Sequence, residues 1–395
     1  VVRIEEGGAV RVRRGDPLDA LRQFLDDRLP RKRALARVPA AVACLSYDLG
    51  RSIERLPSRA RDDQRFPELF VAVHARILEL EHDTGRIREH RLGVRPAAPQ
   101  AGPAPPSPGR FRVSPRPPLV SRAAFIRAVA RAVTYIHAGD IFQVNLSRRF
   151  EARVSGTPRE LWARLRAASP APYAAWLDLG GGLHVLSSSP ESFLHVRGRR
   201  VTTRPIKGTR PRGRTAAADA RLRADLLGSA KDRAELAMIV DLMRNDLGRV
   251  CRAGSVRVED ARRLESYPQV HHGVATVSGM LAKGVDAVDL IRATFPGGSI
   301  TGAPRVRAME IIEELEPARR SIYTGAVGWI ARDALELSIA IRTLLLDGSR
   351  ATWQVGAGIV AESDPREEER ETRAKAAGIE RALGLAGGDA ARRGC

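Results

Sequence analysis

Two pairs of carboxylates stand out as side chains whose spacing could do chemistry. Asp232 and Glu235 lie three apart in KDRAELAMIVDLMRNDLG, where Leu236, Ile239, Val240, Met243 and Leu247 recur at helical spacing, so the two acids share one side of a helix. Glu368 and Glu371 repeat that spacing in SDPREEERETRAKA. Two such faces brought together would offer a few oxygens to a Mg²⁺ ion that keeps several waters, the usual arrangement where a metal also grips an anionic substrate. Each segment also has a plainer reading. Ser229 with Asp232 fits a capping box, and Asp364, Pro365 and Glu367 can open a helix whose dipole favours the acids that follow. Glu235, one turn further along, is too deep in its helix for such a role.

Lys207 stands in RPIKGTRPRG. A lysine becomes a useful nucleophile when burial or a neighbouring cation lowers its pKa; otherwise it is a surface group that keeps its charge in water. Glu191, after Pro190 in SSSPESF, sits at a hairpin corner either as a solvated turn residue or as a general acid of raised pKa. Gly297, Gly298 and Gly302 precede a helix starting near Pro304, where free backbone N–H groups could hold a carboxylate or phosphate, although a capped glycine-rich turn looks the same. Gly356 and Gly358 would let a ligand approach backbone. His271 and His272 are adjacent, so in a strand only one can face a pocket, and their spacing is not that of a metal pair.

The elements that must position these groups are strands at 42–49, 69–80, 173–179, 183–187, 192–196, 199–203, 323–330, 336–346 and 351–355. Helices are predicted at 17–29, 230–247, 287–295, 304–315 and 365–383. A further helix, capped by Ser121, carries Phe125, Val129, Ala132, Val133 and Ile136 and ends at Gly139. IFQVNLSRRF alternates as a strand, with Phe142, Val144 and Leu146 assigned to the core, while the row Gln143, Asn145 and Ser147 is either solvated or lines a pocket, periodicity alone favouring solvent. Hairpin-spaced strands punctuated by helices argue an α+β fold with antiparallel pairing. The proline-dense stretch 95–118 reads as a linker between a small N-terminal region, 1–94, and a large domain, 119–386, with a frayed tail at 387–395.

Composition narrows the class. The formal charge of +20 raises the possibility of a nucleic-acid partner. The basic residues are spread along the whole chain, however, and only Lys32, Lys207, Lys231, Lys283 and Lys375 are lysines, with no aromatic-interleaved basic motif, so no nucleic acid is expected. No apolar run is long enough to span a membrane and no signal-peptide core opens the chain, which predicts a cytoplasmic protein. Cys44, Cys251 and Cys395 match neither a disulfide framework nor a zinc spacing.

Taken in order, FQVNLSRRF, SSSPESF, RPIKGTRPRG, DRAELAMIVDLMRNDLGRVC, VHHGVATVSG, FPGGSITGAPRVRAMEIIEELEP, YTGAVGW, IAIRTLLL, GAGIVAESDP and ETRAKA resemble the chorismate-utilising family over about residues 119 to 385. That family includes anthranilate synthase component I, aminodeoxychorismate synthase component I, isochorismate synthase and salicylate synthase; LSYDLGRSIERLP resembles the smaller domain of the two aminating members. The resemblance implies two large antiparallel sheets packed as a sandwich and wrapped by helices. It implies Mg²⁺ on Glu235 and Glu371, with Asp232 and Glu368 supporting through water, holding the ring carboxylate of chorismate. Tyr323, Arg342, Gly356 and Gly358 match positions that hold the enolpyruvyl carboxylate, and Thr301, Gly208 and Thr209 match other substrate contacts. Glu191 matches the acid that protonates the departing C4 hydroxyl, and His272 a histidine beside the ring.

Two positions select the reaction. Members that use water carry a lysine at the place of Gln143, and a glutamine cannot activate water in that way. At the place of Lys207, anthranilate synthases usually have alanine, whereas aminodeoxychorismate synthases have lysine, which points to amination at C4 with amination at C2 as the alternative. No cysteine here has a nucleophile-elbow setting, so the resemblance implies a separate glutamine amidotransferase subunit as the ammonia source. The chain departs from the family pattern at Arg305, commonly lysine, and at Gly273, commonly a bulkier aliphatic residue.

Overall fold

A computed structural model describes residues 2–6, 9–32, 35–92, 111–267 and 270–385. The N-terminal region runs β1 (Val2–Glu6), β2 (Ala9–Arg13), α1 (Pro17–Arg28), β3 (Ala41–Leu45), a 3₁₀ turn at Tyr47–Ser52, β4 (Leu69–Val73), β5 (Arg76–Leu80) and β6 (Ile87–Arg91). Then follow β7 (Arg112–Pro115), α2 (Arg122–His137), β8 (Gln143–Ser155), α3 (Pro158–Ala168), β9 (Tyr173–Asp178), β10 (Leu183–Ser189), β11 (Ser192–Arg197), β12 (Arg200–Arg204) and β13 (Ile206–Pro211). The remainder is α4 (Ala216–Gly228), α5 (Ala230–Gly248), β14 (Arg257–Ser266), β15 (Val270–Met280), α6 (Ala287–Thr294), β16 (Gly302–Ala303), α7 (Arg305–Leu315), β17 (Ala326–Ile330), β18 (Ala334–Ile339), β19 (Thr343–Asp347), β20 (Arg350–Ile359) and α8 (Pro365–Leu383).

Two antiparallel sheets organise the chain. One has the order β16-β8-β20-β19-β10-β9 with β7 beside β8; the other has β13-β15-β12-β11-β18-β17-β3-β4 with β14 beside β15. Their facing surfaces meet through buried Cys44, Leu177, Val185, Ile322, Val327 and Leu345. Helices α2 and α7 cover the outer face of β8 and β20, where Phe125, Val129, Ala308, Ile311 and Ile312 pack on Val144, Leu146, Ala357 and Ile359. Burial of these aliphatic faces is the main favourable term holding the layers together. The mixed, antiparallel α+β architecture expected from the sequence is therefore present.

Several expectations change in detail. The predicted strand 42–49 stops at Leu45, because Ser46 accepts the Asp48 N–H and starts the 3₁₀ turn. The stretch 69–80 is two strands in separate sheets, and 336–346 is likewise broken into β18 and β19, one in each large sheet. Arg342, at φ 49, makes that second break. Strands β3 and β4 of the N-terminal region are continuous with β17 of the larger sheet, so this region completes a sheet shared with the large domain. Within the predicted linker, residues 95–110 lie outside the described residues and Arg112–Pro115 pairs with β8 as a strand. The predicted tail at 387–395 lies outside the described residues.

Candidate active site

The polar row of β8 faces the second sheet instead of solvent. Gln143 and Asn145 are buried, and Gly358 and Gly356 stand beside them on β20, paired with Asn145 and Ser147. The apolar row is also not uniform: Val144 and Leu146 are core, but Phe142 precedes the strand and is 72% exposed. The assignment by periodicity failed because both faces of β8 are covered, one by helices and the other by the second sheet.

Lys207 enters this space from β13. Its Nζ lies 3.9 Å from Glu235 Oε2, on the second turn of α5. A Cβ placed on Gly358 would sit 3.3 Å from Lys207 Nζ and 2.8 Å from Gln143 Nε2, so both side chains end in the space that the glycine leaves open. Among the described residues neither amide atom of Gln143 has a hydrogen-bonding partner, which leaves a buried donor and acceptor directed at this space. Glu191 is buried at the start of β11, where Ser299 Oγ donates to its Oε1 at 2.8 Å. Burial raises the Glu191 carboxyl above its ordinary value, against the Ser299 hydrogen bond and the charge of Lys207.

The acidic faces also converge. Burial raises Glu235, opposed by Lys207 and Lys231 and reinforced by Asp232 and Glu371. Burial likewise raises Glu368, which accepts Ser363 Oγ at 2.7 Å, with Glu371 adding to the effect. For Glu371 burial is outweighed by Lys375, 2.6 Å away, so its carboxyl is lowered. Lys375 also donates to the Gly356 carbonyl at 2.9 Å, tying α8 to β20. Asp232 turns toward Arg210 at 3.2 Å. Gly208 is packed over it: a Cβ there would lie 2.9 Å from Asp232 Cγ.

Among the described residues no three acidic, histidine or cysteine side chains converge tightly enough to hold an ion by themselves. Glu235 and Glu371 nevertheless offer oxygens suited to a hard divalent cation: Glu235 is half-buried and its charge is penalised by burial and by the nearby Glu371 charge, a cost that a cation would offset. Glu235 and Glu371 would hold such an ion, which would supply positive charge to an anionic substrate.

His272 and Arg342 line a cavity of about 260 Å³ with Pro190, Tyr267 and the turn at Pro170–Pro172. Thr209 Oγ1 lies 2.9 Å from His272 Nδ1. Burial, and then the charge of Arg342, pull His272 down to about 4, so the ring is neutral at physiological pH. Of the histidine pair only His272 faces the cavity; His271 is held by Asp219 and Ser266 at 2.9 and 2.8 Å. Arg342 is lowered by burial, and among the described residues no carboxylate pairs with it, which leaves a half-buried guanidinium in the cavity wall open to an anion. Tyr323 is buried with its hydroxyl at Asn145, and a Cβ on Gly356 would lie 2.8 Å from that oxygen. Thr301 is buried in the glycine-rich turn, where its hydroxyl donates to the Gly297 carbonyl at 3.0 Å and keeps its lone pairs as acceptors.

The sequence reading did not single out Asn145, Ser299, Lys375 or the Glu316–Arg320 pair. Arg320, fully buried, donates to Glu316 and to the Ile300 and Asn145 carbonyls, and Glu316 accepts Ser147 N and Oγ. Asn145 lay in the polar row and Ser299 in the glycine-rich segment, so both could have been found there.

The chain belongs to the family of chorismate binding enzymes, which matches residues 3–381. It is similar to anthranilate synthase component 1 of Streptomyces coelicolor, at 41% identity over 91% of this chain and 75% of that protein. It is equally similar to aminodeoxychorismate synthase component 1 of Bacillus subtilis, at 40% identity over 87% of this chain and 77% of that one. The crystal structure of anthranilate synthase component I from Streptococcus pneumoniae superimposes with a TM-score of 0.80 at 31% identity, covering 95% of this chain and 89% of the other. Among the described residues no helix is long and apolar enough to cross a membrane.

Proposed function

We propose that this chain is component I of an aminodeoxychorismate synthase, which aminates chorismate at C4 with ammonia delivered by a partner glutamine amidotransferase. Relatives of both aminating kinds match at similar identity, so the choice rests on the site. The observation that carries it is Lys207 Nζ, 3.9 Å from Glu235 and directed at Gly358 and Gln143 between the two sheets. Arg342, Tyr323 and the backbone at Gly356 and Gly358 suit the enolpyruvyl carboxylate.

In the first half-reaction the Lys207 amine attacks C2, the ring double bond shifts, and the C4–O bond breaks. Glu191 supplies the proton that turns the departing hydroxyl into water, and burial, which raises its carboxyl, favours the protonated form this role needs. In the second, ammonia attacks C4, the double bond shifts back, and the C2–N bond returns its electron pair to Lys207. The ammonium proton restores Glu191. The sum is chorismate plus ammonia giving 4-amino-4-deoxychorismate plus water. Mg²⁺, when bound by Glu235 and Glu371, would neutralise and orient the ring carboxylate. His272 is a neutral wall beside the ring, and Gln143 in place of a base disfavours attack by water.

The test is incubation with chorismate, Mg²⁺ and an ammonium salt at alkaline pH. This reading expects p-aminobenzoate only after a lyase is added, and strong slowing by Lys207→Ala. Direct release of fluorescent anthranilate by the parent protein would favour amination at C2 instead.

A further inference from the structure

Between two of its pairs with β15, strand β13 carries one extra residue. Ile206 pairs with Val274 and Thr209 with His272, so Lys207 and Gly208 together stand opposite the single Gly273 of β15. A bulge of this kind bends the strand and re-aims a side chain, and here the side chain is Lys207. Gly208 accommodates it at φ 79, in the left-handed region open to glycine. Gly273 completes the fit from the other strand. A Cβ at Gly273 would lie 2.7 Å from the Lys207 carbonyl oxygen and 3.6 Å from Arg262 Nε.

Two groups therefore border the position of a side chain at 273, the first too close for a Cβ and the second in ordinary contact with it. One is the Lys207 backbone. The other is the Arg262 guanidinium, which comes from a second bulge, in β14, and crosses β15. Beyond β15, Arg262 donates to the carbonyls of Leu226, of Leu227 at 3.2 Å and of Ser229 at 3.3 Å. These carbonyls form the joint between α4 and α5. Ser229 is the N-cap of α5, and Glu235 lies on the second turn of that helix. One empty position thus couples the strand that carries Lys207 to the helix that carries Glu235.

We propose that Gly273 and Arg262 act together as positioning residues that set the reach of Lys207 into the site. The proposal rests on Lys207 as the nucleophile. Neither residue touches the reacting atoms, and the departure from the family pattern at Gly273 acquires a structural counterpart in Arg262.

The experiment compares Gly273→Ala and Gly273→Val with the parent protein. A displacement of the nucleophile by about an ångström lowers kcat by roughly 10- to 100-fold, so Gly273→Val should lose that much, and Gly273→Ala less, with KM for chorismate changed by less than roughly 3-fold on the same argument. In a Lys207→Ala background the Gly273 substitutions should cost nothing further. Competitive acetylation with acetic anhydride, mapped by peptide mass, reads the geometry without turnover: labelling of Lys207 relative to exposed Lys283 should shift in Gly273→Val and in Arg262→Ala while far-ultraviolet circular dichroism stays constant. Parental kcat in Gly273→Val, an equal fractional loss with and without Lys207, or an unchanged labelling ratio would overturn the proposal. Full activity in Lys207→Ala alone would instead remove the nucleophile reading, and the labelling ratio would still decide whether Gly273 positions the side chain.

Discussion

Replacing Arg320 by methionine probes how the polar row of β8 is held. The guanidinium is 1% exposed, donates to Glu316 through Nε at 3.0 Å and Nη2 at 2.7 Å, reaches the Ile300 carbonyl at 3.0 Å, and also serves the Asn145 carbonyl. Arg320→Met removes all of these at once. The Glu316 carboxylate, 5% exposed, would keep only Ser147 N at 2.8 Å and Ser147 Oγ at 3.0 Å. Breaking a buried pair by deleting one partner costs about 3–5 kcal/mol, because the other charge stays buried without compensation. The double variant Arg320→Met/Glu316→Gln removes that charge but keeps an acceptor for Ser147, so it should recover about half of the loss. Denaturant unfolding followed by tryptophan fluorescence and circular dichroism gives the comparison, provided the slopes match the parent. A single variant within about 1 kcal/mol of the parent, or a double variant no better than the single, would refute the reasoning.

Two further outcomes follow from the site. His272 is held neutral, with its pKa near 4 against 6.5 for a free histidine, so between those values the unfolded chain binds more protons and stability rises with pH. The contribution is at most about 3 kcal/mol; His272→Gln should flatten the pH dependence of the unfolding midpoint between 4 and 6.5, and an unchanged slope would contradict a buried neutral ring. Glu235→Ala and Glu371→Ala should each shift the Mg²⁺ titration of activity to higher concentration and lower the maximum, since each removes one of two proposed ligands; parental titration curves in both would discard the assignment.

Much of this arrangement was legible in the residues. The spacing of Asp232 with Glu235 and of Glu368 with Glu371 located the two acidic helix faces, and Ser121, Ser229 and Asp364 marked helix starts where α2, α5 and α8 begin. What the sequence concealed depends on tertiary layers. Periodicity favoured solvent for the polar row at Gln143 because alternation cannot tell a solvated face from one covered by a second sheet. The break at Arg342 was hard to see because apolar residues flank it on both sides, Ile339 to Ile341 before and Leu344 to Leu346 after; the positive φ of a non-glycine residue marks it. Helix α4 was missed because Leu226 is its only buried residue; polar contacts such as Arg210 with Asp225 and Arg212 with Asp219 hold it in place. Asp232 could be read as cap or metal support, and its contact with Arg210 depends on a strand distant in sequence.

The central claim is that the amine of residue 207 bonds to the substrate ring, and it can be tested without ammonia. Protein incubated with chorismate and Mg²⁺ alone, quenched in acid and digested, should yield the peptide containing Lys207 heavier by chorismate less one water, and Lys207→Ala should not. An unmodified Lys207 peptide from protein that turns over normally once ammonium is added would contradict the account.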